Sequence, residues 1–174
     1  MAVELVPWAS GDLPLLHALL GDPALTAHLG GPETPAQIAA RHERYVRLPE
    51  TGHAWMYKVV CDGAAAGSVG FWEKLWRDEP VYETGWSVLP AFQGRGVATA
   101  ATLLVIAAAR ERRERTALHA FPSVANAPSN AICRKAGFTL LGPCDLEYPP
   151  GQLLRVNDWR LELGASGAVT VRRA

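Results

Sequence analysis

The chain is expected to fold in the α+β (mixed α/β) class, on one twisted, mostly antiparallel sheet with helices on both faces. Three observations predict this. Strand-forming runs fill the middle and the end of the chain, and helical periodicity is confined to four segments. A glycine-rich turn, Gln93-Gly94-Arg95-Gly96, joins a strand directly to a long apolar helix. The element order reads β-α-α-β-β-β-α-β-α-β-β. A length of 174 residues suffices for one core. Residues 1–164 are expected to form a single domain and residues 165–174 a loose tail.

Each element has its own signal. Val3 to Val6 reads as the first strand. Ser10 or Asp12 caps a helix over residues 13–20, whose first turn tolerates Pro14. Gly30-Gly31-Pro32 breaks the chain. Thr34-Pro35 opens a second helix, in which Ile38, Ala39, His42, Tyr45 and Val46 recur at helical spacing until Pro49 to Gly52 ends it. Strand formers take over from Trp55 to Val60, Asp62-Gly63 signals a hairpin, and Ser68 to Trp72 returns as the next strand. Glu73 to Pro80 reads as a charged connection, and Val81 to Leu89 completes a meander. The helix over 97–113 is apolar on nearly every side up to Ala109, so cover by the sheet and its neighbours is expected all round. Thr116 to Phe121 is the next strand. A short helix over 131–136 closes at Gly137, and residues 139–141 and 153–163 supply the last two strands.

Composition narrows the function. The hydrophobic fraction is 49%, the charged fraction 20% and the formal net charge +0. Nothing in that balance suggests a nucleic-acid or membrane surface. Cys61, Cys133 and Cys144 have no metal-ligand spacing and cannot all pair internally, so a reduced, cytoplasmic protein without a metal is the expectation. Met1 to Trp8 lacks the basic and apolar regions of a signal peptide.

The glycine turn carries the chemistry. Pro90 removes a ladder donor and closes the preceding strand. Glycines at such a junction let a ligand approach the backbone, and the first-turn amides of the next helix have no intrahelical acceptor. Together these make an anion site suited to phosphate or pyrophosphate. A P-loop would need Lys followed by Ser or Thr where Val97-Ala98 stands. A dinucleotide fingerprint would need a third glycine and an early βαβ unit.

Gln93-Gly94-Arg95-Gly96-Val97-Ala98 is similar to the Q/R-x-x-G-x-G/A signature of the GNAT N-acetyltransferases. Asn126-x-x-Ser129 with Lys135-Ala136-Gly137-Phe138 resembles the family's N-x-x-S…K-x-G-F run. Asn157-Asp158-Trp159 resembles the closing strand of its ribosomal-protein-alanine acetyltransferase-like branch. The resemblance covers most of residues 55–163. It implies the GNAT fold, with a sheet split between strands 4 and 5 that holds acetyl-CoA. It also implies transfer of an acetyl group to a primary amine in a direct ternary complex. A homodimer fits both the family and a helix with little polar surface.

The resemblance assigns roles by position. The main chain of Gln93, Gly94, Arg95, Gly96, Val97 and Ala98 would hold the pyrophosphate, with the Arg95 charge nearby. The main chain of Ser87, Val88 and Leu89 would follow the pantetheine, and the Val88 or Leu89 amide would polarise the thioester. Asn126 and Ser129 take CoA-facing positions, with helix capping as their other reading. Glu83 shares a strand face with Gly85 and Ser87 and is the candidate base, with His119 as the alternative. Many ribosomal-type relatives carry a Glu early in the next helix, where this chain has Thr99-Ala100-Ala101. Cys133 stands where many relatives have an acidic Tyr; it is either a weak donor or a small buried residue, and Ser129 or water could serve instead. Trp55, Trp72 and Trp86, with Trp76 and Tyr82, concentrate near Glu73, Asp78 and Glu79, a composition that could hold a cationic amine. A protein N-terminus, a polyamine, an amino sugar and an antibiotic all remain open, as does a catalytically weak acyl-CoA-binding module.

Overall fold

Two-residue alternation organises the middle of the chain. The computed structural model describes residues 1–164, so the tail expected over 165–174 lies outside the described residues. Strands β1 (Val3–Pro7), β2 (Ala54–Cys61), β3 (Ala64–Trp76) and β4 (Glu79–Val88) pair in sequence, each antiparallel to the last. Strands β5 (Ala117–Ala120), β6 (Thr139–Glu147) and β7 (Leu153–Glu162) complete a seven-stranded sheet of order β1-β2-β3-β4-β5-β7-β6. One face of β2, β3 and β4 presents Tyr57, Val69, Phe71, Tyr82 and Val88 to the core under α3 (Val97–Arg112) and α4 (Ala127–Lys135). The other face presents Met56 to a second core made with Trp8, Leu16 and Leu19 of α1 (Leu13–Leu20) and Ile38 of α2 (Pro35–Thr51).

The split is made by short strands and prolines. β4 and β5 are parallel and pair only at Tyr82–Leu118 and Glu83–His119. Beyond those pairs β4 runs on from Thr84 to Val88, while β5 ends at Ala120 and meets Pro122, which has no N–H to give. A wedge therefore opens between them. On the far side of β5, the Asn157 amide donates to the Pro122 carbonyl at 2.9 Å, so the β5 lip is held to β7 rather than β4.

The structure corrects several expected boundaries. Residues 73–80 are not a connection: β3 continues to Trp76 and turns into β4 through Arg77-Asp78, with φ of 49° and 65°. Those angles suit a tight primed hairpin. Its charges are paired, Glu73 with His53 and Arg115 in the flanking loops, and Lys74 with Glu83 on the neighbouring strand. α2 keeps Pro49 in its last turn and stops only at Gly52, whose φ is 69°. α4 begins at Ala127, four residues before the expected start, because Pro128 fits a first turn. β6 runs well past Leu141 as an edge strand. α3 is not covered all round, since Leu103 and Leu104 are exposed at 50% and 40%.

Candidate active site

The open edge of β4 is the first component. The Leu89 amide donates to the Ala66 carbonyl at 2.8 Å, in line with the Ser68–Ser87 register. In an antiparallel ladder such pairs alternate, so the main chains of Leu89 and Ser87 are directed at β3. Those of Trp86 and Val88 are directed at the wedge. Of the expected strand segment, Ser87 and Leu89 therefore turn their main chains to β3, and the wedge edge is formed by Trp86 and Val88. The Val88 carbonyl already accepts from Gln93 Nε2 at 2.9 Å, which leaves its amide as the group facing outward.

The glycine turn is the second. Gly94 and Gly96 have φ of 71° and 82°, a left-handed conformation that favours glycine. The ladder of α3 opens with the Ala100 amide on the Gly96 carbonyl at 3.0 Å. The preceding amides of this 16-residue helix are those without an intrahelical acceptor. Two assigned residues behave differently from expectation. The Gln93 amide donates to Pro90 at 3.2 Å and its side chain braces Val88, so Gln93 shapes the loop rather than offering an amide to phosphate. Arg95 lies 3.6 Å from Asp62 in an exposed pair, and its guanidinium sits 5.7 Å over Phe92. An exposed pair of this kind is weak enough to exchange for a phosphate.

The lip at the start of α4 is built around a residue that the sequence did not single out. Asn126 Oδ1 caps α4 by accepting the Ser129 amide at 3.1 Å, and Ser129 stands half-buried in the first turn. Asn130, buried one residue on, makes four hydrogen bonds. Its Nδ2 donates to the carbonyls of Ser123 and Asn126, and its Oδ1 accepts from Asn157 Nδ2 and Trp159 Nε1. Two motifs read separately in the sequence are thus one hydrogen-bonded unit. The remaining member of the second, Asp158, points to the opposite face of the sheet.

The third component lies on the sheet face shared by α1 and α2. Glu83 lies on it, flanked in register by Trp72 on β3 and His119 on β5. Its carboxylate is mostly buried and accepts from Lys74 Nζ at 2.6 Å. Trp72 reaches across the neighbouring Gly85, where an added Cβ would stand 3.1 Å from the indole. Trp76 donates its Nε1 to Asp158 at 2.9 Å and packs edge-on against Phe121 at 4.7 Å. Alternation removes the other expected substrate aromatics from this face. Trp55 stacks on Phe71 at 4.7 Å beneath the Arg112 guanidinium, on the α3 side. Trp86 packs against the same core, and Tyr82 is buried there with its hydroxyl on Glu114. Glu79 is taken by Arg160, whose hydrogen bonds hold its carboxyl below the usual range. Lys74 and Phe121 were missed; Lys74 becomes legible once β3 is known to run through Trp76, because 72, 74 and 76 then share a face.

Neither alternative acid nor base reaches the wedge as a reactive group. His119 is fully buried; its Nδ1 donates to Asp158 at 2.7 Å and its Nε2 lies 3.4 Å from Arg160. Cys133 is fully buried in α4, and burial pushes its thiol up to about 12. It is an apolar filler.

A family model described as an acetyltransferase (GNAT) domain matches residues 2–139. The chain belongs to the GNAT acetyltransferase family. It is an acetyl-CoA-dependent N-acetyltransferase. No curated protein matches it significantly. Among solved structures, it is similar to the Salmonella typhimurium acetyl transferase that modifies the N-terminal serine of ribosomal protein L7/L12. That likeness has 23% identity over 93% of this chain and 95% of the other, with a TM-score of 0.74. The aminoglycoside acetyltransferase AAC(6')-Ib in complex with coenzyme A is 20% identical over 92% and 95% of the chains, with a TM-score of 0.76. Spermidine N-acetyltransferase from Vibrio cholerae, in complex with CoA and spermine, is 14% identical over 94% and 97%, with a TM-score of 0.76. These three likenesses are of fold.

Proposed function

We infer that the acceptor amine enters the wedge from the α1–α2 face and loses its proton to Glu83. The observation that carries this reading is the layout of one continuous segment. Glu83 projects to the acceptor face, the Trp86 and Val88 amides edge the wedge, and the glycine turn follows at the head of α3. Acetyl-CoA supplies the thioester. The amides from Gly94 to Ala98 hold its pyrophosphate, with Arg95 released from Asp62 to add charge. An edge amide of Trp86 or Val88 donates to the carbonyl oxygen as negative charge develops there. Glu83 accepts the ammonium proton, directly or through one water, through the carboxylate oxygen that Lys74 leaves. The amine nitrogen bonds to the acetyl carbon and the sulfur leaves as thiolate; the second nitrogen proton passes to that thiolate through water or the Ser129 hydroxyl, and Glu83 gives the first to solvent.

Fold neighbours that act on an N-terminal serine, an aminoglycoside and a polyamine support an amine acceptor of either small-molecule or protein origin. The test pairs calorimetric titration of acetyl-CoA with release of free CoA over a panel of amines. Binding and turnover are expected. Glu83→Gln should lower kcat about 100-fold, as removal of a general base does, with acetyl-CoA affinity retained. A full-rate Glu83→Gln enzyme sinks that role. One observation favours a second reading, an acyl-CoA-binding module: the position of the expected Tyr acid is a buried cysteine. Binding without turnover on any amine would decide for it.

We place the protein in the cytoplasm on the chemistry of its three unpaired cysteines. A homodimer that buries Leu103 and Leu104 of α3 is proposed, with light scattering as its test.

A further inference from the structure

We propose that Lys74 is a built-in occupant of a cation seat in the acceptor site, and that it selects amines with one positive charge against diamines and polyamines. This rests on the acceptor face assigned above. Lys74 shares a face of β3 with Trp72 and Trp76. Its ammonium donates to Glu83 Oε2 at 2.6 Å, and it lies 5.7 Å from the centre of the Trp76 ring and 5.1 Å from that of Phe121. A carboxylate backed by two aromatic faces is the chemistry that recognises an alkylammonium. Here the chain fills that seat with its own.

The seat is rigid and its charge is closed. Asp158 is 1% exposed and takes hydrogen bonds from Trp76 at 2.9 Å and His119 at 2.7 Å, which fixes the first ring. His119 stacks on Phe121 with ring centres 5.7 Å apart, which fixes the second. Beyond His119, Arg160 is bound by Glu79. Arg77 lies 5.3 Å over the Trp76 ring and 3.9 Å from Asp158, adding positive charge at the rim. The Glu83–Lys74 pair is neutral as a unit. A second ammonium on the acceptor would have to displace a largely buried ion pair and two cation–π contacts, or sit beside Lys74 and Arg77 unpaired. A monoamine does neither, because it uses the other carboxylate oxygen. The device is a repulsive element built against one class of acceptor.

The test compares calorimetric binding of cadaverine and pentylamine, matched in chain length, to the CoA-bound protein. In Lys74→Met and Lys74→Gln, the cadaverine-to-pentylamine affinity ratio is expected to rise about tenfold, the scale on which a lost charge repulsion acts. Lys74→Arg keeps an occupant in the seat and should keep the wild-type ratio. Adding Glu83→Gln to Lys74→Met should abolish the gain. An unchanged ratio in both neutral variants, or no cadaverine binding in any form, overturns the proposal. The readout is binding, so failure of every amine to be acetylated would defeat the preceding section and leave this result intact. Turnover with an unchanged ratio would defeat this inference alone.

Discussion

Asn130 shows how much one residue holds. It is buried, and its side chain satisfies two carbonyls of the β5–α4 loop and two side-chain donors of β7. Asn130→Ala would leave those groups without partners inside the protein, at about 1–3 kcal/mol for each one that water fails to reach. We expect a loss of about 3 kcal/mol in denaturant unfolding, with weaker acetyl-CoA binding because the lip loosens. Wild-type stability in that variant would show that the network does not hold the loop. Gly85 is the complementary case, where absence of a side chain does the positioning. Gly85→Ala puts a Cβ 3.1 Å from the Trp72 ring, so the indole must shift. KM for the amine should rise several-fold while acetyl-CoA affinity holds; equal loss of both would place Trp72 elsewhere in the mechanism.

At the scale of elements, the strand–turn–helix from β4 to α3 is the working unit. The left-handed Gly96 joins the two, and a Cβ there would meet nothing closer than 4.0 Å. Gly96→Ala therefore tests backbone conformation with little steric interference. A left-handed alanine costs about 1 kcal/mol. Relaxation of that strain would turn the first amides of α3 away from the cradle. Acetyl-CoA affinity should fall about fivefold by calorimetry, and an unchanged affinity would argue that the turn does not bind the anion. The hairpin at Arg77-Asp78 matters equally, because its position sets which residues of β3 share the face of Glu83. A one-residue slip would exchange Lys74 and Trp72 for Glu73 and Leu75.

At the scale of the whole molecule, the buried titratable groups set an alkaline limit. Burial raises Tyr82 to about 12, helped by its hydrogen bond to Glu114, and burial alone raises Cys133 to about 12. Both groups fold as neutral acids whose folded values exceed their unfolded ones. Their stabilising contribution is complete below the unfolded values of about 9 to 10 and is lost as pH rises to about 12. Unfolding free energy should fall across that window, by about 3 kcal/mol for Tyr82 and about 4 kcal/mol for Cys133. Urea titrations at rising pH measure this, and Cys133→Ala should flatten the slope. A flat wild-type profile would mean that water reaches these sites.

The fold was legible because it is written in local patterns. Strand alternation, caps, the glycine turn and its order among three motifs all act over a few residues, and they place the elements and the glycine loop without reference to the rest of the chain. The face that Glu83 takes was legible too, through its spacing from Gly85 and Ser87 along one strand. Which side of the sheet each tryptophan faces was not, because the charged run 73–80 hid the length of β3 and so the register of its neighbours. Trp55 and Trp86 went to the α3 core, and Lys74 came to the face of Glu83. The open amides of Trp86 and Val88 depend on pairing between β3 and β4, and Asn130 depends on contact with β7, 27 and 29 residues away. Local spacing determines which elements form; hydrogen-bond partners distant in sequence decide which of their atoms remain for chemistry.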